Sequence, residues 1–223
     1  PQHGALAMMG LYLGGILVGI LAALLYKKLL FKGSPIPFVM ELPNYRFPSA
    51  KSVFLLMWEN AREFLHRAFT VILLASVGVW FLQTFDARLN PIAGGTGSLL
   101  HLIGGWIVPL FAPLGFGDWR ACAALLTGLM AKETVVSTLA VLLSTSVSQL
   151  SAALATLFTP LSALSFLVFT LLYTPCIAAI AAARRELHSG WKTLGMVSAQ
   201  CAIAYAVSFA VFQLLRLVTV DGG

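Results

Sequence analysis

The stretch RACAALLTGLMAKETVVSTLAVLL, Arg120 to Leu143, is long and apolar enough to cross a membrane, yet it carries the pair Lys132-Glu133 in its middle. Eleven uncharged residues separate Arg120 from Lys132, and ten follow Glu133. An ion at the centre of a spanning helix costs roughly 2.5–3.5 kcal/mol on insertion scales, so adjacent ions are expected to face a cavity, a partner charge or a permeating ion. The pair is therefore the first place to look for function.

Comparable apolar windows lie on both sides: Ala5 to Tyr26, Ala68 to Phe85, Leu161 to Ala183 and Leu194 to Leu215. A spanning helix needs about 20 mainly apolar residues. With 59% hydrophobic and 10% charged residues among 223, the chain reads as an all-α integral membrane protein of about five transmembrane helices. A soluble domain is excluded, and no phosphate-binding loop of the Gly-x-x-x-x-Gly-Lys-Ser/Thr type occurs, so the chain is expected to bind no nucleotide. Nor do a nucleophile, a base and an orienting group stand at a recognisable spacing, which argues against an enzyme.

The net charge of +6 would suit nucleic acid in a soluble protein, but its distribution points to a membrane instead. Ten of the 14 Lys and Arg fall in two segments: Lys27, Lys28, Lys32, Arg46, Lys51, Arg62 and Arg67 between the first two spans, and Arg184, Arg185 and Lys192 between the last two. The positive-inside rule puts both on the cytoplasmic side, with lipid and not nucleic acid as partner. The chain then leaves the second span outside near Phe85 and enters the fourth from outside near Leu161. One crossing between them cannot satisfy that parity. Either Ser98 to Leu114 also crosses, or Arg120 to Leu143 enters and returns. Gly104, Gly105, Pro109, Pro113, Gly115 and Gly117 predict a broken or re-entrant helix, which lipid tolerates only beside protein or water.

Before the second span, Lys51 to Arg67 mixes Val53, Phe54, Met57, Trp58, Phe64 and Leu65 with charges at helical spacing, predicting an interfacial amphipathic helix. Gly33 to Pro37 reads as a turn, with extended chain through Pro43 and Pro48. The boundaries that follow are 1–37 for the first helix and turn, 38–68 for the cytoplasmic interfacial segment and 69–220 for the remaining transmembrane region. No cleavable signal peptide is evident, and the chain reads as the interior of a longer polypeptide.

Glu133 is the strongest oxygen ligand or proton acceptor. On one continuous helix it would share a face with Cys122, Leu126, Leu129, Met130 and Ser137, although Cys122 would stand about 16 Å away along the axis. Lys132 would point elsewhere, and the competing reading has both charges holding adjacent helices together. The second constellation is Tyr173-Thr174-Pro175-Cys176. Pro175 removes a backbone donor and clashes with the carbonyl of Leu171, bending the helix next to a thiol. Cys with Glu suits divalent iron or manganese without selecting either. Cys122, Cys176 and Cys201 are odd in number and lie in apolar segments, so no disulfide framework is expected. In the last span Ser198, Cys201, Tyr205 and Ser208 share a face, the pattern of polar groups satisfied across helices.

Several blocks resemble the ferrous iron transport protein B family of bacteria. They are Phe38 to Pro48, Met57-Trp58-Glu59, Ala112 to Arg120, Leu125 to Gly128, Ala131-Lys132-Glu133, Val135 to Leu139 and Tyr173 to Cys176. The resemblance implies the C-terminal membrane portion of such a protein in the inner membrane, with a second gate motif. Fe2+ would be the transported substrate, with Cys176 and Glu133 near its route and Lys132, Thr174 and Pro175 gating or supporting it. It also implies partners outside this chain: a cytoplasmic GTP-binding domain and a first gate repeat of the same protein, and a small accessory protein of the ferrous transport A type. Homo-oligomerisation is left open. Cys122 stands where the family commonly has Ala, and Thr134 where Val is common, which lowers Cys122 as an essential ligand. Two other readings compete: a gate-type permease for a nucleoside or other small solute, and a non-transporting anchor for a regulatory GTPase.

Overall fold

The computed structural model describes residues 4–29, 49–92, 96–130, 132, 134–146, 148–173 and 176–220. The turn expected over Gly33 to Pro37, the segment through Pro48, and Glu133, Thr174 and Pro175 all lie outside the described residues. Nine helices are described: α1 Gly4–Leu29, α2 Ala50–Thr84, α3 Leu99–Phe111, α4 Trp119–Gly128, α5 Thr134–Leu142, α6 Leu150–Leu157, α7 Pro160–Leu172, α8 Ile177–Leu187 and α9 Gly190–Val220. No strand occurs among the described residues. The chain divides into two compact units, Pro1–Leu65 and His66–Gly223.

In the first unit, α1 is apolar on every face, with Met8, Tyr12, Leu17 and Leu21, spread around the helix, each more than half exposed. A helix apolar on every face needs an apolar surrounding. Among the described residues α1, the run Pro160–Leu187 and α9 are long and apolar enough to cross a membrane, and the bent pair Leu99–Leu114 with Trp119–Gly128 makes a fourth span if counted as one. The second half of α2 contains all but the last residue of the uncharged window Ala68 to Phe85.

The second unit is built on interrupted helices. At 1.5 Å per residue, 13-residue α3 is about 20 Å long, short of a hydrocarbon core of about 30 Å. It begins on Ser98, whose Oγ accepts the His101 amide at 3.2 Å, and runs into a 3-10 turn at Ala112–Leu114. Gly115 then turns the chain with φ +84°. Asp118 starts α4 by accepting the Arg120 amide at 2.7 Å, and α4 leaves α3 at 101°. The Gly and Pro pattern between Gly104 and Gly117 thus marks a sharp bend. The Phe212 ring occupies the space that a Cβ on Gly115 would need. Gly115→Ala is expected to cost about 1–3 kcal/mol through left-handed backbone strain and displacement of that ring, read as a lower thermal midpoint in detergent.

The core sits at this bend. Phe111, Phe116, Phe166 and Phe169 pack at ring separations of 5.1–6.0 Å, around buried Leu114, Cys122 and Leu125. Helices α7 and α9 lie together, their contact closed by the hydroxyls of Ser165 and Ser208 at 2.9 Å, with Ser208 Oγ also 2.7 Å from the Ser165 carbonyl. Tyr205 donates to the Leu110 carbonyl at 3.0 Å. The polar face read in the last span is satisfied across helices at these two positions.

Two of the apolar windows are divided, the second of them where Pro175 predicts a bend. Arg120 to Leu143 is α4 and α5 with a break between, and Leu161 to Ala183 is α7 and α8. The connection expected over Ser144 to Ser151 overlaps the first two residues of α6, an additional short helix over Leu150–Leu157.

Outside the apolar helices, Asp86 organises the loop after α2. Its carboxylate accepts the amides of Arg88 at 2.7 Å and Asn90 at 2.8 Å. The Asn90 amide, first among these, holds the Asp86 pKa below the ordinary carboxylate value. A depressed folded value means the loop is favoured above the unfolded carboxylate pKa and loses that support as pH falls through the folded value. Protection of the Asn90 amide, its exchange rate relative to an unstructured amide at the same pH, is expected to fall on that acidification, and to be low at every pH in Asp86→Ala.

Candidate functional site

The two breaks in the second unit meet, and each supplies what the other lacks. At the end of α4 the chain tightens: the Leu129 amide bonds the Leu126 carbonyl at 3.3 Å, and the Met130 amide bonds Thr127 at 3.0 Å. That i to i−3 pattern releases the carbonyls of Leu125 and later residues from their helical donors. The Tyr173 hydroxyl takes the Leu125 carbonyl at 3.2 Å, the Thr134 hydroxyl takes Thr127 at 2.9 Å, and the Ile177 amide at the start of α8 takes Leu129 at 2.9 Å. The traffic also runs the other way. Lys132 Nζ donates to the carbonyls of Thr170, Leu171 and Tyr173 at 3.1, 3.0 and 3.3 Å, at the open end of α7.

Gly128 lets the breaks approach. A Cβ there would meet the Tyr173 hydroxyl and the Val135 side chain. The Tyr173 ring is buried, and the Lys132 ammonium stands 5.0 Å from its centroid, a cation–π contact inside an apolar shell. Lys132 is thus bound to main-chain oxygens.

Cys176 is the N-cap of α8, half-buried, with no side-chain capping bond. Its backbone carbonyl accepts the Ile180 amide at 3.0 Å, and its thiol is within electrostatic reach of Lys132. The motif Tyr173 to Cys176 therefore frames the gap between α7 and α8, although Thr174, Pro175 and Glu133 lie outside the described residues. Among the described residues no three His, Cys, Asp or Glu side chains gather as a metal-holding group. Cys122 is 1% exposed in the core. The break also cancels the helical face expected to align Cys122, Leu126 and Met130 with Ser137, because azimuth is not conserved across Leu129 to Lys132. Cys122, Cys176 and Cys201 form no disulfide.

Beside the crossing lies a cleft of about 210 Å³, with Ser76, Trp80 and Gln83 of α2 on one wall. The other is Thr127, Met130, Thr134, Ser137 and Thr138. Thr127 and Thr138 share a buried hydroxyl contact of 2.9 Å, and Ser137 donates to the Thr134 carbonyl at 3.1 Å. The sequence reading missed this wall of α2. Ser76, Trp80 and Gln83 recur at spacings of four and three, a polar stripe within an apolar span, and that signal was available.

Comparison with known proteins places the chain. Residues 8–60 match the family model "Ferrous iron transport protein B C terminus", and residues 65–190 match the gate model, described as "Nucleoside recognition". The Fe(2+) transporter FeoB of Staphylococcus aureus (strain COL) is 35% identical over 97% of this chain and 32% of its own length. That of Methanocaldococcus jannaschii is 36% identical over 94% of this chain and 32% of its own length. A Porphyromonas gingivalis Fe(2+) transport protein A/Fe(2+) transporter FeoB fusion protein is 33% identical over 96% of this chain and 31% of its own length. The chain spans about a third of the length of these curated relatives. No solved structure matches. The gate model covers more than half of the chain, the C-terminal block precedes it, and the helices are those of a multi-pass membrane protein. The chain belongs to the ferrous iron transport protein B family, as membrane portion carrying a gate domain.

Proposed function

We propose that this chain is the permease portion of a bacterial inner-membrane Fe2+ uptake transporter, with the ion passing the crossing of the two helix breaks. The observation that carries the reading is the crossing itself: unwound chain, open helix ends and a half-buried thiol are brought together inside an apolar bundle. Discontinuous helices of this kind place main-chain oxygens and helix termini where ions are bound in membrane transporters. Cys176 offers a soft sulfur, and Glu133, next to Lys132 in the sequence, would add a carboxylate. Lys132 ties the two breaks together through the carbonyls of Thr170, Leu171 and Tyr173, and Thr174 and Pro175 are read from the sequence as supporting residues of the same route. GTP dependence would reside in a GTP-binding domain of the complete protein, and the fused relative supports a ferrous transport A type partner.

A second reading has one observation in its favour. The cleft combines Trp80, Gln83 and several hydroxyls, groups that suit a nucleoside or similar polar solute. Its volume of about 210 Å³ falls below the roughly 300–1,000 Å³ of sites that enclose drug-sized ligands, so the cation reading is preferred. Thiol labelling separates the two. In the complete polypeptide Fe2+ or Mn2+ is expected to slow labelling of Cys176, and uridine or adenosine is not. Protection by nucleosides alone would support the solute reading, and protection by neither would remove Cys176 from any transport site.

A further inference from the structure

The charge at the crossing belongs to the chain itself. Carbonyl oxygens of Thr170, Leu171 and Tyr173 converge on Lys132 Nζ at 3.0–3.3 Å. These are groups that a helix end leaves without intrahelical donors, and they sit at the negative end of the α7 dipole. In hydrocarbon an unwound helix end of this kind coordinates cations. The Thr170 hydroxyl, buried and without a partner among the described residues, adds another oxygen on the same turn. Lys132 reaches them from a break between α4 and α5, at the end of a flexible side chain.

We propose that the carbonyl cluster at the end of α7 is a cation site that the Lys132 ammonium fills as a tethered stand-in, so that a permeating cation must displace it. Two cations cannot share the same three oxygens. The 3.0–3.3 Å spacing fits an ammonium; a divalent ion draws oxygen ligands in to about 2.0–2.6 Å. Displacement therefore loosens the tie between the two breaks at the moment the ion enters, and return of the ammonium restores it. The class of ligand is a partly dehydrated divalent cation taking oxygen ligands, with the Cys176 thiol nearby. That choice of ion rests on the permease reading. The existence of a cation site does not.

Lys132→Ala in the complete polypeptide vacates the site. Its thermal midpoint in detergent is expected to fall, and ethylammonium, ammonium or potassium chloride to restore most of the loss. N-methylglucamine chloride at equal ionic strength, too bulky to enter, is expected to restore none, and the wild type to respond to neither. Equal recovery in all salts, or in none, overturns the proposal. Lys132→Met keeps most of the side chain but neither the terminal nitrogen nor its charge, and covers the case in which the alanine variant does not fold. This variant is expected to bind Mn2+, followed by paramagnetic resonance, about tenfold or more tightly than the wild type, because the competing charge is gone. Affinity equal to or below that of the wild type overturns the proposal. Failure of iron uptake alone would leave the salt-specific recovery standing, which separates this inference from the transport reading.

Discussion

Lys132→Glu is expected to be among the most damaging single substitutions in the second unit, lowering stability by about 2–4 kcal/mol. The change removes the donor from the carbonyls of Thr170, Leu171 and Tyr173 and aims a carboxylate at the same oxygens. Each unsatisfied buried carbonyl costs about 1–3 kcal/mol, and an unpaired charge in a desolvated site adds to that. Half-burial of Lys132 tempers the sum, since water screens part of the repulsion. Lys132→Gln keeps one donor group and is expected to lose less. Thermal midpoints of the two variants in detergent check the order, and a glutamate variant as stable as the wild type would show that the three bonds contribute nothing.

Gly104→Val is expected to cost about 2–3 kcal/mol through a different route, at the bend between α3 and α4. A Cβ on Gly104 would lie 2.9 Å from the main-chain oxygen of Trp119 and 3.5 Å from the Ala123 Cβ. Backbone cannot yield as the end of a long side chain can, so even Gly104→Ala must push α4 away from α3. Valine adds two methyl groups to that displacement. The expected ranking is wild type, alanine, valine by thermal midpoint, with increased labelling of the otherwise buried Cys122 in the valine variant.

The spans were legible because hydropathy integrates over about 20 residues, and the bend near Gly115 was legible because Pro and Gly punctuate it. The break after Gly128 was not. Its lost helical bonds are replaced by the Tyr173 hydroxyl and the Ile177 amide, about 50 residues later in the chain, and local pattern carries no trace of such partners. Lys132 shows the same limit. Sequence marks it as an ion that needs a partner on an adjacent helix or in a cavity but cannot name one, because the partners described are carbonyls, which every residue possesses and no composition reveals. Cys176 is more tractable: a thiol after Thr174 and Pro175 predicts an interrupted helix, and the residue does cap the start of α8. Ser76, Trp80 and Gln83 were overlooked because they lie in a span read for its apolar content.

That the crossing of the breaks carries Fe2+ through Cys176 is tested most directly by uptake of radioactive ferrous iron into cells producing the complete protein. Cys176→Ala is expected to reduce uptake to the level of cells lacking the transporter, while Cys122→Ala, altering a residue buried in the core, keeps most of it at equal membrane abundance. Wild-type uptake by Cys176→Ala would contradict the assignment.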